Sequence, residues 1–154
     1  MIQADRYDKM IQSVAGIVNH CIQQALSARK TIRAVYLFGS VLDEDRFKPC
    51  SDIDMAFLLN HSLYKKDPLT ASYDAYIIAT RVSDKTDRQT DVVILNAASV
   101  ETAYQVITTG KLLYENDPDD RLEYEIALKG MYFDFKPFLD ELRKYKRVQT
   151  KEMP

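Results

Sequence analysis

Ala34-Val35-Tyr36-Leu37-Phe38-Gly39-Ser40 and, after a spacer of eleven residues, Asp52-Ile53-Asp54-Met55-Ala56-Phe57-Leu58-Leu59 are the stretch whose reading decides the fold. The first half is an apolar run of strand length that ends in a Gly-Ser turn. The second is a similar run led by two carboxylates. Alternate residues of a strand share a face, so Asp52 and Asp54 point the same way. Two neighbouring carboxylates repel unless a cation lies between them. Hard divalent ions such as Mg2+ take carboxylate oxygens and keep positions open for substrate phosphates. Asp91 leads a further apolar run, Val92-Val93-Ile94-Leu95, and supplies a third carboxylate if that strand lies beside the one bearing Asp52 and Asp54.

Upstream, Tyr7, Met10, Ile11, Val14, Ile17, Val18, Cys21, Ile22 and Ala25 recur at three- and four-residue intervals. This predicts one amphipathic helix ending near the basic pair Arg29-Lys30. Downstream of Gly39-Ser40, residues 43–51 form a polar connector. Asp67-Pro68 reads as an N-cap followed by proline at the first helical position, with Leu69, Tyr73, Tyr76, Ile77 and Thr80 as one face and an end within 83–88. A short helix over 100–108 is expected to close on Gly110 as a left-handed cap, followed by an edge strand at 111–114. Asp117-Pro118 repeats the cap-and-proline signal and opens a helix from about 121 to 147, with a kink or break expected near Gly130 and Pro137. The order predicts an α/β (α+β) fold, a small mixed β-sheet flanked by helices packed mainly on one side.

The 154 residues suit a single domain over 1–154, with a core over about 1–115 and a C-terminal helical segment over about 117–147. A chain of this size buries roughly 68–70% of its unfolded surface. At 46% hydrophobic and 29% charged it is too apolar for a disordered chain. A net charge of −2 predicts no general nucleic-acid binding. No stretch approaches the roughly 18 apolar residues of a membrane helix, and the charged start Met1-Ile2-Gln3-Ala4-Asp5-Arg6 has no leader-like apolar region, so a cytoplasmic protein without membrane contact is expected. Cys21 and Cys50 lack a partner set with metal-ligand spacing, and His20 and His61 lie away from the motifs.

Nucleotidyl transfer asks a protein to hold a triphosphate, neutralise charge and align an attacking oxygen, with little covalent work for side chains. Gly39 lets backbone approach the phosphates, and Ser40 can donate its hydroxyl together with amides of the following turn. Ser51, just ahead of the carboxylate pair, is a further nucleotide-binding candidate. Asp52 and Asp54 would bridge two Mg2+ ions about 4 Å apart, with Asp91 completing the second site and accepting a proton. Taken singly, a Gly-Ser is usually a turn and an Asp-x-Asp usually a strand entrance. The combination at this spacing is what points to catalysis. Arg46 and Lys48, and Arg81, Lys85 and Arg88, could meet phosphate, but solvated charges are the favoured reading.

Phe38-Gly39-Ser40 and Ser51-Asp52-Ile53-Asp54 resemble the signature of the minimal nucleotidyltransferase family within the DNA polymerase β superfamily. Asp91 matches its third carboxylate by strand context. Gly110-Lys111-Leu112-Leu113-Tyr114-Glu115 and Tyr132-Phe133-Asp134-Phe135-Lys136-Pro137 resemble its C-terminal pattern. The resemblance implies a polymerase β palm-like fold and ATP as substrate with Mg2+. It also implies an antitoxin that transfers AMP to a tyrosine of a cognate HEPN-type ribonuclease toxin. Two alternatives stand beside it: a non-catalytic antitoxin acting by occlusion, and a transferase acting on a small aminoglycoside-like molecule. The aromatic C-terminal residues Tyr124, Tyr132, Phe133, Phe135, Phe138 and Tyr145 offer a docking face, although the helical stripe 135, 138, 139 and 142 favours core packing.

Overall fold

The computed structural model describes residues 2–43, 45–48 and 50–152. In chain order the elements are α1 (Ile2–Gln24), α2 (Leu26–Thr31), β1 (Ile32–Phe38), a 3-10 turn (Gly39–Leu42), β2 (Ile53–Leu59), α3 (His61–Lys66), α4 (Pro68–Thr86), β3 (Thr90–Ile94), α5 (Val100–Thr109), β4 (Lys111–Glu115) and α6 (Pro118–Glu152). The strands form one mixed sheet in the order β3-β2-β1-β4. β1 runs antiparallel to β2 and β4, whereas β2 and β3 are parallel.

Helices cover both faces of this sheet, which corrects the expectation of one covered side. Val35, Leu37, Ile53, Met55 and Phe57 pack with α1 and α4, whereas Tyr36, Ala56 and Leu58 pack with Ala103 and Val106 of α5 and Leu128 of α6. The cause is written in the two central strands. Residues 34–37 and 55–59 are buried at every position, as unbroken apolar runs must be when neither face meets water.

The predicted first helix is divided at Ala25, whose extended backbone ends α1 and starts α2. Arg29 donates from Nη1 to the Gln23 carbonyl at 2.7 Å across this break. The bend lets Ala28 and Thr31 enter the core just ahead of β1, and no Gly or Pro announces it. α3 carried no sequence expectation. It starts on Asn60, whose side chain accepts from the Leu63 amide at 3.0 Å.

α4 begins as expected on Asp67, which accepts from the Thr70 amide and hydroxyl, with Pro68 in the first turn. Its buried face is different from the one predicted. Ala71, Ser72, Ala75, Ile78, Ala79 and Val82 face the core, while Leu69 is 86% and Tyr73 64% exposed and Tyr76, Ile77 and Thr80 also face outward. Three alanines let the helix lie close to its neighbours, and the larger residues are left outside.

Gly110 is no left-handed cap, since its φ of −76° and ψ of 165° are extended. Glycine is required there by proximity. A Cβ would lie 2.3 Å from the Val106 carbonyl oxygen and 2.9 Å from that of Leu37. α6 continues unbroken through Gly130 and Pro137, so it does not end at either residue. Proline removes the amide that would serve the Phe133 carbonyl, but Phe133 is exposed, so water can take that bond. The start of α6 is held by the Tyr36 hydroxyl donating to Glu125 at 2.7 Å, by Arg121 bonded to both Glu115 and Glu125, and by a 3.6 Å stack of Tyr104 on Tyr132. Beyond that point most of the helix surface is exposed, although Arg143 still pairs with Glu101 of α5. Phe135, Phe138 and Leu142 of the predicted core stripe are exposed and Leu139 is half-buried, so most of that stripe lies at the surface, as does Tyr145. The helix also runs past the predicted end near 147, to Glu152.

Candidate active site

The predicted residues meet at one end of the sheet. Antiparallel pairing sets Phe38 opposite Asp54, and parallel pairing sets Asp54 beside Asp91 on the edge strand. Asp52 stands two residues before Asp54, at the entrance to β2. Asp54 is partly buried and Asp91 is exposed. By strand alternation all three belong to the side of the sheet that carries α5 and α6.

Gly39 closes this end from the other strand. Its φ is +79°, in the left-handed region, and a Cβ built on it would sit 2.3 Å from Oδ2 of Asp54. The turn therefore demands glycine twice over, by backbone conformation and by contact with the carboxylate. The 3-10 turn that follows is closed by the Asp43 amide donating to the Ser40 carbonyl at 3.0 Å. The Ser40 hydroxyl has no partner among the described residues and is partly exposed beside the carboxylates' strand end.

The electrostatics are those of carboxylates crowded at one strand end. The Asp54 carboxyl is pushed up from 3.8 to about 6, by burial first and then by the charges of Asp91 and Asp52 and a hydrogen bond with Asp91. A cation is the group that would relieve this repulsion. Among the described residues, no group of three His, Cys, Asp or Glu side chains is placed to hold a metal ion. An ion that completes its shell with waters and substrate phosphate oxygens, as Mg2+ does, would need fewer protein ligands than three.

Two residues unremarked or misread in the sequence hold the connector. Phe47 lies edge-on to Tyr7 at 6.2 Å, and the Arg88 guanidinium sits 4.1 Å over its ring. Arg88 also donates to the carbonyls of Lys48 at 2.8 Å and Ser51 at 3.1 Å. Arg88 is thus a clamp on the segment just ahead of Asp52, where a solvated charge was expected. The Ser51 hydroxyl accepts from the Lys48 amide at 2.9 Å, and its proton is left to donate. Among the described residues Arg46 reaches Asp43, at 4.0 Å, from an exposed position. Only the aromatic residue within a polar connector could have signalled this arrangement. Arg88→Ala should lower transfer on the order of tenfold to a hundredfold by loosening Asp52, with the fold retained. Steady-state kinetics beside a melting curve would check it; unchanged kcat would exclude the clamp.

A cavity of about 760 Å3 lies elsewhere, around Leu58, Asn60, Tyr124 and Leu128, and none of the three carboxylates lines it. The chemistry of the side chains, more than the size of the hollow, locates the site.

A turn of glycine and serine set against carboxylates on two adjacent strands, in a mixed sheet flanked by helices, defines a nucleotidyltransferase of the polymerase β type. The family model described as "Polymerase beta, Nucleotidyltransferase" matches residues 20–119, and the chain belongs to that family. Solved structures carry the same fold. One is a toxin-antitoxin crystal structure with AMP-PNP, a chain of which is 21% identical with a TM-score of 0.59, covering 84% of this chain and 98% of that one. The toxin-antitoxin MntA-HepT matches at 21% identity and a TM-score of 0.55, over 86% of this chain and 98% of the other. A tri-AMPylated HEPN toxin of Shewanella oneidensis in complex with its MNT antitoxin matches at 20% identity and 0.57, over 86% and 98%. No curated protein matches the sequence. No helix among the described residues is long and apolar enough to cross a membrane.

Proposed function

We propose that the protein is a cytoplasmic antitoxin that transfers AMP from ATP to a tyrosine hydroxyl of a HEPN-type ribonuclease toxin, with release of pyrophosphate. The observation that carries this reading is the meeting of Asp52, Asp54 and Asp91 beside the left-handed Gly39 at one end of the sheet. Solved neighbours support the choice of nucleotide and partner, since one holds AMP-PNP and another contains an AMPylated HEPN toxin.

Gly39 keeps the turn open to the triphosphate, and the hydroxyls of Ser40 and Ser51 donate to its oxygens. Asp52, Asp54 and Asp91 would hold Mg2+, which when bound neutralises phosphate charge and favours the ionised acceptor. The tyrosine oxygen attacks the α-phosphorus, and the bond from that phosphorus to the bridging oxygen of the pyrophosphate breaks. The phenolic proton passes to a carboxylate, and Asp91, exposed on the edge strand, is the best placed to take it.

The surface of α6 fits a helical acceptor protein. Met131, Phe135, Phe138, Leu142 and Tyr145 follow one another at alternating steps of four and three, the spacing with which one helix packs along another, and all are exposed. Such a partner would bring the tyrosine to the site without a second domain in this chain.

The test is transfer of label from α-labelled ATP with Mg2+ to proteins that co-purify with the chain, with Asp52→Asn alongside. Label on a helical partner, lost in Asp52→Asn, is expected. A partner that stays bound and neutralised by Asp52→Asn, without label, would replace transfer with occlusion.

A further inference from the structure

A second site lies on the far side of the sheet, in a groove of about 410 Å3 between α1 and α4. Ser13 and His20 line it from α1, and Arg81 and Lys85 from the next helix, one turn apart. None of these four has a hydrogen-bond or ion-pair partner among the described residues. Asp8, Asp74 and Asp84 stand on the same two helices, yet no carboxylate lines the groove. The floor is open because Gly16 sits there, and a Cβ added to it would meet nothing within 4 Å. The charges of both cations act on the Cys21 thiol, although burial dominates and raises its pKa.

Two fixed positive charges, an imidazole and a hydroxyl around one small space, without a compensating acid, match the charge density of a compact polyanion. We propose that this groove binds a small oligophosphate. Phosphate oxygens would accept from Arg81, Lys85, His20 and Ser13, and the several negative charges of the ligand would be balanced by both cations. A nucleic-acid strand is the less favoured ligand, because the donors surround one hollow and do not track along a surface, and the chain as a whole carries a net charge of −2. The proposal does not depend on the transfer reaction.

The two cysteines allow a direct test, since partly buried Cys21 lines the groove and exposed Cys50 lies two residues from Asp52. Full-length protein in EDTA is alkylated with N-ethylmaleimide, with and without inorganic tripolyphosphate, and each cysteine is followed by mass spectrometry. At about ten times its dissociation constant, tripolyphosphate should slow Cys21 labelling about tenfold, because only unliganded protein reacts, while Cys50 is unaffected. R81Q/K85Q and, separately, Gly16→Leu, which fills the groove from an exposed helix position, should abolish the protection with an unchanged melting curve. Protection that survives in R81Q/K85Q, equal protection by sodium chloride at matched ionic strength, or protection of Cys50 alone would overturn the proposal. Protection by a single-stranded oligonucleotide and not by tripolyphosphate would assign the groove to nucleic acid instead.

Discussion

Asp54→Asn should reduce nucleotidyl transfer by about a thousandfold or more and, in the same protein, raise the metal-free melting temperature above pH 6. The loss of activity follows from removing a negative ligand at the point where phosphate charge must be balanced, a deletion of the kind that costs on the order of 10²–10³ or more. The gain in stability follows from linkage. In the folded protein the Asp54 carboxyl binds its proton more tightly than its ordinary 3.8, at about 6, because burial and the charges of Asp91 and Asp52 oppose ionisation. A group whose folded pKa is raised stabilises the fold fully below its unfolded pKa, and that contribution is lost as pH rises through the folded value. The metal-free protein should therefore lose stability between about pH 4 and about pH 6 relative to Asp54→Asn, which carries no charge to repel. Mg2+ should raise the wild-type melting temperature more at pH 8 than at pH 5, and much less in the variant. Melting curves in EDTA across this range, with and without Mg2+, decide the matter. Parallel curves for the two proteins would show that the three carboxylates do not share a site.

Gly39→Ala should lower transfer about a hundredfold, since a displacement near 1 Å at a reacting centre has that effect. The new methyl would lie 2.3 Å from Oδ2 and 3.3 Å from Cγ of Asp54, so either the carboxylate swings away or the turn retreats. The left-handed φ of +79° adds about 1–2 kcal/mol for any residue with a Cβ. For a chain of this length that lowers the melting temperature by roughly 2–8 °C. Activity should fall far more than stability, and kinetics beside calorimetry would separate the two. An active Gly39→Ala would mean that the turn does not approach the phosphates.

The motif itself was legible because it is local. Strand, Gly-Ser, connector and Asp-x-Asp are read from period-two alternation and turn chemistry, and the site needs few distant contacts to form. Asp91 required one assumption, that its strand lies beside β2, and the parallel register meets it. The caps at Asp67 and Asp117 were legible for the same reason, since each side chain bonds an amide only two or three residues ahead. Where periodicity was asked which face of a helix is buried, it misled. α4 offered two stripes, and the larger residues were assigned to the core although the alanines occupy it. Hydrophobicity ranks residues, but close approach between helix and sheet selects small ones.

The amino-acid sequence by itself determined the strands, the caps, the glycine-serine turn and the carboxylates, because each is set by steric and hydrogen-bonding rules acting within a few residues. Tertiary structure alone decided the rest. It bent the first helix at Ala25, made Gly110 a point of contact between backbones, set Arg88 as the clamp on the connector and left the apolar stripe of α6 in water. It also brought Ser13 and His20 of one helix to Arg81 and Lys85 of another. These outcomes depend on which surfaces meet, and that is fixed by packing among segments far apart in the chain.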